Sequence, residues 1–188
     1  MLPPIPSACP VIVIEGIPGA GKSSLQERLR REVRDRPLHV YPEEALLLHW
    51  THAWIPGIHP LRLALMARML DHVETVLAAT PDALFVLTRF HLSYVLLGGD
   101  GDDPRYRQVV ARLAALGAEA WVPMVPDAAI AARAIHPERR DPQWQAHLQR
   151  RLACEGYADL TTMYVQYQQD LRAILERQPI PHRLLPPR

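Results

Sequence analysis

The chain has 188 residues, of which 48% are hydrophobic, and a formal net charge of +1. This length and apolar content predict one domain over residues 1–188 with a substantial core. The near-neutral charge argues against nucleic acid or an anionic membrane as a partner. No segment approaches the roughly 20 apolar residues that span a bilayer, and two cysteines are too few for a disulfide framework. We therefore expect a cytoplasmic protein.

The first half of the sequence alternates between apolar strands and amphipathic helices. Residues 11–15, VIVIE, are β-branched and nearly all apolar, which is typical of a strand buried on both faces. After a glycine-rich turn, Leu25, Leu29 and Val33 form one stripe of an amphipathic helix. The same reasoning predicts, in chain order, a strand at 38–41, an apolar helix at 60–79 and a strand at 82–88.

The second half continues the alternation. It predicts a helix at 104–117, a strand at 118–125, a short helix at 127–135, helical structure from about 143 to 177 with a break near Gly156, and a last strand at 182–185. Such alternation implies a parallel sheet that is covered on both faces. We therefore predict a three-layer α/β fold with five parallel strands, whose ligands bind at the carboxyl ends of the strands.

The glycine-rich turn carries the most specific motif. Gly16, Gly21, Lys22 and Ser23 satisfy G-x-x-x-x-G-K-[S/T] between a strand and a helix, which is the context of a phosphate-binding loop (P-loop). Its glycines let backbone N–H groups point at phosphate, and the helix dipole adds positive charge. Lys22 is the single lysine beside 20 arginines, which indicates a position that needs a compact cation.

This motif predicts that the chain binds ATP with Mg²⁺. Lys22 would contact the outer phosphates, and the hydroxyl of Ser23 would join the coordination of the metal. The loop residues that we assign to ATP binding are Gly16, Pro18, Gly19, Ala20, Gly21, Lys22, Ser23 and Ser24.

Three segments resemble thymidylate kinases and the related deoxynucleoside kinases. VIVIEGIPGAGKSS is similar to their opening strand, which ends in Glu-Gly before the loop. In HVYPEEALLLHW, Glu43 matches the glutamate that acts as base in deoxynucleoside kinases. In FVLTRFHLS, Arg89, Phe90 and Ser93 match the pattern D-R-[YFH]-x-x-S. The resemblance implies a P-loop kinase fold and a small molecule that accepts phosphate.

A fourth segment, WVPMVPDAAIAARAIHPERRD, resembles the fourth strand, short helix and arginine-rich lid of the same families. It implies a lid at about 134–142, with Arg133 near ATP and with Arg139 and Arg140 as catalytic residues. The resemblance also implies that Arg68 faces the acceptor. The apolar helix at 60–79 could pack either in a homodimer interface, as in these families, or in the core.

The chemistry of phosphoryl transfer gives the remaining candidates. The reaction needs positioning and neutralisation of the moving phosphoryl group, for which Lys22, Mg²⁺ and the lid arginines are suited. A hydroxyl acceptor also needs a base, and Glu43 is the candidate, with Glu44 as the alternative. Equally, Glu43 could be a solvated carboxylate at a helix start. Arg89 is a candidate for binding phosphate, and Trp50 for stacking on the acceptor or for packing.

One departure from the families concerns the metal. Thr88 stands where thymidylate kinases have Asp and deoxynucleoside kinases have Glu, a carboxylate that organises Mg²⁺. Threonine offers a hydroxyl without charge. Either Glu43 or Glu15 compensates for it, or metal binding and turnover are weak.

These observations leave three functions open. The leading hypothesis is a kinase for a nucleoside or a nucleoside monophosphate; Glu43 favours the former and Arg68 the latter. A second is a kinase for another hydroxyl compound, such as a sugar or an antibiotic, because the loop is common to all of these enzymes. A third is a nucleotide-binding regulatory protein with weak turnover, which Thr88 favours.

Overall fold

A parallel sheet of five strands forms the centre of the protein. The computed structural model describes residues 9–135 and 141–186. The strands are β1 Val11–Ile14, β2 Leu38–Tyr41, β3 Leu84–Thr88, β4 Glu119–Pro123 and β5 His182–Leu185. They lie in the order β2-β3-β1-β4-β5, and each neighbouring pair is parallel. The predicted five-stranded parallel sheet is confirmed.

Six α-helices connect and cover the strands in the described part of the chain. They are α1 Lys22–Glu32, α2 Ile58–Ala79, α3 His91–Leu96, α4 Pro104–Ala115, α5 Pro142–Glu155 and α6 Leu160–Glu176. The break predicted near Gly156 separates α5 from α6, and Gly156 has the positive φ of 75° that favours glycine at a helix end. The sequence did not predict α3.

The two faces of β1 explain the three layers. Val11 and Val13 face one side and pack in the cluster that contains buried residues of α2, α4 and α6. Ile12 and Ile14 face the other side and pack with residues of α1. All four are fully buried, and each contributes roughly 1.5–3 kcal/mol when taken from water. The central strand is therefore apolar along its whole length because both of its faces are covered.

A third apolar cluster lies behind the P-loop. Ile17 and Ala20 of the loop pack with Trp144 and Leu148 of α5 and with Tyr164 of α6. The predicted short helix at 127–135 is divided into a 3₁₀ turn, Asp127–Ala129, and a π-helical turn, Ala131–Ile135, which belongs to the same cluster. The loop is thus supported by the C-terminal helices, which come far later in the chain.

The long helix α2 buries one face and exposes the other. Its buried residues include Met66, Leu70 and Val73, which join the main core, whereas Leu61 and Arg68 are exposed. The core therefore takes up the apolar face of this helix, and a homodimer through α2 stays a prediction.

Within the ranges that the structure describes, no helix combines the length and apolar character needed to cross a membrane.

Candidate active site

The P-loop joins the end of β1 to the start of α1, as the motif predicts. Gly21 has a φ of 94° directly before Lys22, the first residue of α1. The Lys22 ammonium donates to the carbonyl oxygens of Gly16 and Ile17, both at 3.0 Å. This places the cation inside the curve of the loop, the position from which a P-loop lysine reaches the outer phosphates.

The turn at 131–135 packs directly on the loop. A Cβ added to Gly19 would lie 2.0 Å from the carbonyl oxygen of Arg133 and 3.0 Å from the Cα of Ala134. Gly19 is required here both for this contact and for its φ of 73°. The backbone of Arg133 therefore stands beside the predicted ATP site. Arg139 and Arg140 lie outside the described residues, as does most of the predicted lid.

Glu15 is buried behind the loop, where it anchors α3. Its carboxylate accepts hydrogen bonds from the N–H groups of Phe90 and Ser93, at 2.7 and 3.2 Å, and from the Ser93 hydroxyl at 2.5 Å. Burial raises the pKa of this carboxyl, and the three hydrogen bonds and Arg89 oppose the rise. A cavity lies beside the P-loop, and Glu15 does not line it. The structure therefore argues against Glu15 compensating for the missing charge at Thr88.

Thr88 has an uncharged partner at the end of β3. The Gln26 amide donates to the Thr88 hydroxyl at 2.5 Å, from the second turn of α1. Both residues line the cavity beside the loop. In the families that the sequence resembles, a carboxylate at this position helps to organise the metal. Here the Gln26 amide and the Thr88 hydroxyl stand at that position instead. Of the residues assigned to Mg²⁺, Ser23 keeps the expected position in the loop, where it lines the cavity.

Glu43 and Arg89 form an ion pair that joins the ends of β2 and β3. Arg89 has a φ of 55°, a left-handed conformation that costs a non-glycine residue roughly 1–2 kcal/mol. The backbone N–H of Arg89 donates to the carbonyl of Ile14 at 2.9 Å, and this bond holds the end of β3 against β1. Strained residues of this kind cluster at functional sites. The predicted base and the predicted phosphate-binding arginine therefore contact each other.

The segment after β2 is shaped by a buried arginine that the sequence analysis passed over. The Arg62 Nε donates to the carbonyl of Leu47 at 3.0 Å, and Leu47 has a φ of 55°. Arg62 is 1% exposed, whereas Arg68, six residues later, lies on the outer face of α2 and does not line the cavity. The resemblance implied that Arg68 faces the acceptor, which stays a prediction; the buried Arg62 does not line the cavity either.

Glu43, Glu44 and His49 lie together near the end of β2. One ligand atom from each falls within 4.8 Å of the others, the one such group among the residues that the structure describes. The His49 Nε2 lies 3.9 Å from Glu43 Oε1. Because Arg89 already pairs with Glu43, we interpret this group as a polar network around the candidate base rather than as a metal site.

A cavity of about 600 Å³ joins these groups to the P-loop. This volume lies in the range of small-molecule sites. At one end it is lined by Gly16 to Ser24 except Ala20, which is buried behind the loop. Glu43, Glu44, Arg89 and Trp50 line its other walls. Loop, candidate base and Trp50 thus share one cavity, as the convergence at the carboxyl ends of the strands predicts.

Helix α5 supplies a wall of the cavity that the sequence analysis missed. Trp144, His147, Leu148 and Arg151 all line it. Their spacing of three, four and seven residues defines one face of a helix, a signal that could have identified them. The signal was weak because nothing in the sequence shows that α5 folds back over the P-loop.

Arg151 is held by partners of its own. Its guanidinium pairs with the Glu155 carboxylate, contacts the Tyr167 hydroxyl and lies 4.9 Å from the centre of the Tyr167 ring. Tyr167 in turn donates to Glu155 at 2.6 Å. Among the described residues that line the cavity, both arginines, Arg89 and Arg151, therefore have a carboxylate partner. Away from the P-loop, the arginines of the described cavity wall are therefore neutralised by carboxylates.

Comparison with solved structures finds the same fold in other proteins at low sequence identity. A thymidylate kinase from Candida albicans, described as having broad substrate specificity, superposes with a TM-score of 0.54 over 95% of this chain and 83% of that one, at 14% identity. A shikimate kinase from Acinetobacter baumannii in complex with shikimate gives a TM-score of 0.40 at 13% identity, covering 91% and 96% of the two chains.

At these identities the likeness shows the fold. No family model matches the sequence, and no curated protein matches it as a relative. The chain thus has the three-layer P-loop fold that the sequence predicted, and its activity must be argued from its own site.

Proposed function

We propose that this protein is an ATP-dependent phosphotransferase that moves the γ-phosphate to a hydroxyl group of a small acceptor, with nucleosides as the leading class. The observation that carries the proposal is the shared cavity. It has a P-loop lysine at one end and a carboxylate–arginine pair, Glu43 and Arg89, in its wall. A base near the acceptor and cations near the moving group are the parts that phosphoryl transfer requires.

The proposed roles follow from position. Lys22 binds the outer phosphates, and Ser23 is the loop residue suited to hold Mg²⁺, which would neutralise phosphate charge when bound with ATP. Glu43 accepts the proton of the acceptor hydroxyl. Arg89 orients Glu43 through their ion pair. Arg133 contacts ATP, and Arg139 and Arg140 add positive charge from the lid.

Paired charges favour a nucleoside over a nucleoside monophosphate. An acceptor phosphate needs cations, and within the described lining Arg89 and Arg151 are each paired with a carboxylate. Arg68, the residue that favoured a monophosphate, lies on the outer face of α2. A neutral hydroxyl acceptor does not require these ion pairs to break.

The experiment is a measurement of ADP release from ATP and Mg²⁺ with a panel of acceptors. The panel holds the four deoxynucleosides, their 5′-monophosphates, and hydroxyl compounds outside this class, including sugars, aminoglycosides and shikimate. Release stimulated by a deoxynucleoside supports the proposal. Stimulation only by a monophosphate, or tight ATP binding with no stimulation by any acceptor, would overturn it.

A second candidate is a nucleotide-binding regulatory protein with weak turnover, and the pairing of Thr88 with Gln26 favours it. In this case ATP binds but hydrolysis and transfer stay slow, because the second metal anchor lacks charge. The same panel separates the two functions, since only a kinase responds to an acceptor.

A further inference from the structure

His147 of α5 makes one hydrogen bond within the described part of the chain. The Trp54 indole N–H donates to its Nδ1 at 3.0 Å. An indole nitrogen can only donate, so Nδ1 must accept and carries no proton. In the neutral imidazole the proton then resides on Nε2. The tautomer of His147 is therefore fixed by a residue from a different segment of the chain.

The surroundings of His147 keep the ring uncharged. His147 is 8% exposed. The charged or titratable groups that act on its ring are Arg150 and Arg151 of α5 and His49 from the segment after β2. Burial, these two arginines and His49 lower the pKa of His147 to about 4. At neutral pH the ring is thus a neutral N–H donor, although two arginines are near.

Trp54 lies outside the cavity, whereas His147 lines it. The Arg150 guanidinium lies 5.1 Å from the centre of the Trp54 ring, in a cation–π contact that helps to hold the indole. On the cavity side, the Trp50 ring lies 5.7 Å from the His147 ring and lines the same space. Among the described residues, the Nε2–H group of His147 has no hydrogen-bond partner. Because His147 lines the cavity, this donor is available to a molecule bound there.

We propose that His147 is a specificity-determining residue for the phosphate acceptor, and that Trp54 positions it. Nε2–H donates to an uncharged acceptor atom, either a carbonyl oxygen or an unprotonated ring nitrogen, on a planar group that lies beside Trp50. This inference rests on the proposed function and narrows its substrate class to compounds with such a group. A donor of this kind rejects molecules that lack the matching atom, because a polar group is then left unpaired.

Steady-state kinetics with the most effective member of the acceptor panel test the inference. His147→Leu removes the donor, and we expect its acceptor KM to rise at least tenfold while the ATP KM stays within about twofold. His147→Gln carries an amide N–H near the position of Nε2, and we expect it to restore KM to within about threefold of wild type. Trp54→Phe removes the indole N–H but keeps an aromatic ring beside His147, and it should give an intermediate KM.

The two variants of His147 separate recognition from packing. Equal losses in His147→Leu and His147→Gln would overturn the inference, as would a wild-type KM in His147→Leu. If His147→Leu does not fold, the comparison of Trp54→Phe with wild type decides, and an unchanged KM overturns the inference. Absence of ADP release from the wild-type chain with every acceptor is a different result, which overturns the proposed function itself.

A spectroscopic measurement tests the tautomer without any acceptor. Long-range ¹H–¹⁵N correlation of the wild-type chain labelled in histidine reports which nitrogen carries the proton. We expect His147 to be protonated on Nε2 alone at pH 7, and to become a mixture of tautomers in Trp54→Phe. A proton on Nδ1 in wild type, or an unchanged tautomer in Trp54→Phe, would overturn the inference.

Discussion

Arg89 and Glu43 form an ion pair across the ends of two neighbouring strands. The Glu43 carboxylate is a quarter exposed, and Arg89 is less exposed than that. Ion pairs near a surface add little to stability, typically 0–1 kcal/mol. Arg89 also keeps an unfavourable left-handed backbone conformation. The arrangement is therefore better explained by function than by stability.

The variant Glu43→Gln tests the base. It keeps the size of the side chain and removes its basicity, so we expect kcat to fall by about 100-fold or more, with the KM for ATP little changed. The control is Glu44→Gln, the neighbouring carboxylate in the same cavity, which should lower kcat by less than about fivefold. If the two variants behave alike, Glu43 is not the base.

Lys22→Ala should lower turnover severely. The ammonium lies within the P-loop, bonded to two of its carbonyls, and no arginine of the described loop replaces it. We expect kcat/KM for ATP to fall by roughly 100–1,000-fold, the scale for losing one charge-stabilising donor. Lys22→Arg should recover little of this loss, because a planar guanidinium does not fit the site of a compact ammonium. Circular dichroism checks that both variants fold.

Thr88→Asp tests whether the missing carboxylate limits metal use. It places a charge beside Gln26 in the cavity, and we expect half-maximal activity at a Mg²⁺ concentration at least threefold lower than in wild type. Thr88→Ser keeps a hydroxyl and serves as the control, with an unchanged Mg²⁺ requirement. A Thr88→Asp variant with the wild-type Mg²⁺ curve would show that position 88 does not influence the metal.

Gly19→Ala tests the contact between the P-loop and the turn at 131–135. Its Cβ would lie 2.0 Å from a backbone oxygen, so we expect a loss of about 2–4 kcal/mol in the free energy of unfolding. Gly156→Ala is a matched control with a φ of 75° and nothing within 4 Å, and should cost only about 1–2 kcal/mol. Chemical denaturation measures both. Equal losses would mean that the turn does not rest on the loop in solution.

His91 gives a prediction about pH. It is fully buried, its Nε2 donates to the Gln178 side-chain oxygen at 2.9 Å, and burial lowers its pKa from 6.5 to about 4. The unfolded state therefore binds more protons between pH 4 and 6.5. The contribution of His91 to the free energy of unfolding is complete above pH 6.5. On acidification to pH 4, the loss of this contribution should lower the free energy of unfolding by about 3 kcal/mol.

His91→Gln should flatten that dependence. Denaturation curves at several pH values between 4 and 7 measure it, and the exposed residue His182 supplies the control variant, His182→Gln. His147, whose pKa is also lowered to about 4, contributes in the same direction and remains in both variants. A His91→Gln variant as sensitive to acid as wild type would contradict the assignment.

The sequence by itself determined the sheet and the phosphate site. The apolar run at β1, the glycines of the loop and the single lysine depend on neighbours a few residues away, and local spacing therefore predicted them. The convergence of Glu43, Thr88 and Arg89 follows from one rule, that the carboxyl ends of parallel strands lie at one edge of the sheet.

Only the tertiary structure decided how the acceptor end is built. The pairing of Glu43 with Arg89, the use of Glu15 to anchor α3 and the inward position of Arg62 depend on the angles at which elements pack. Helix α5 brings His147 and Arg151 to a loop that lies over a hundred residues earlier in the chain. Helical spacing shows which residues share a face of a helix, but only tertiary packing determines which part of the protein that face contacts.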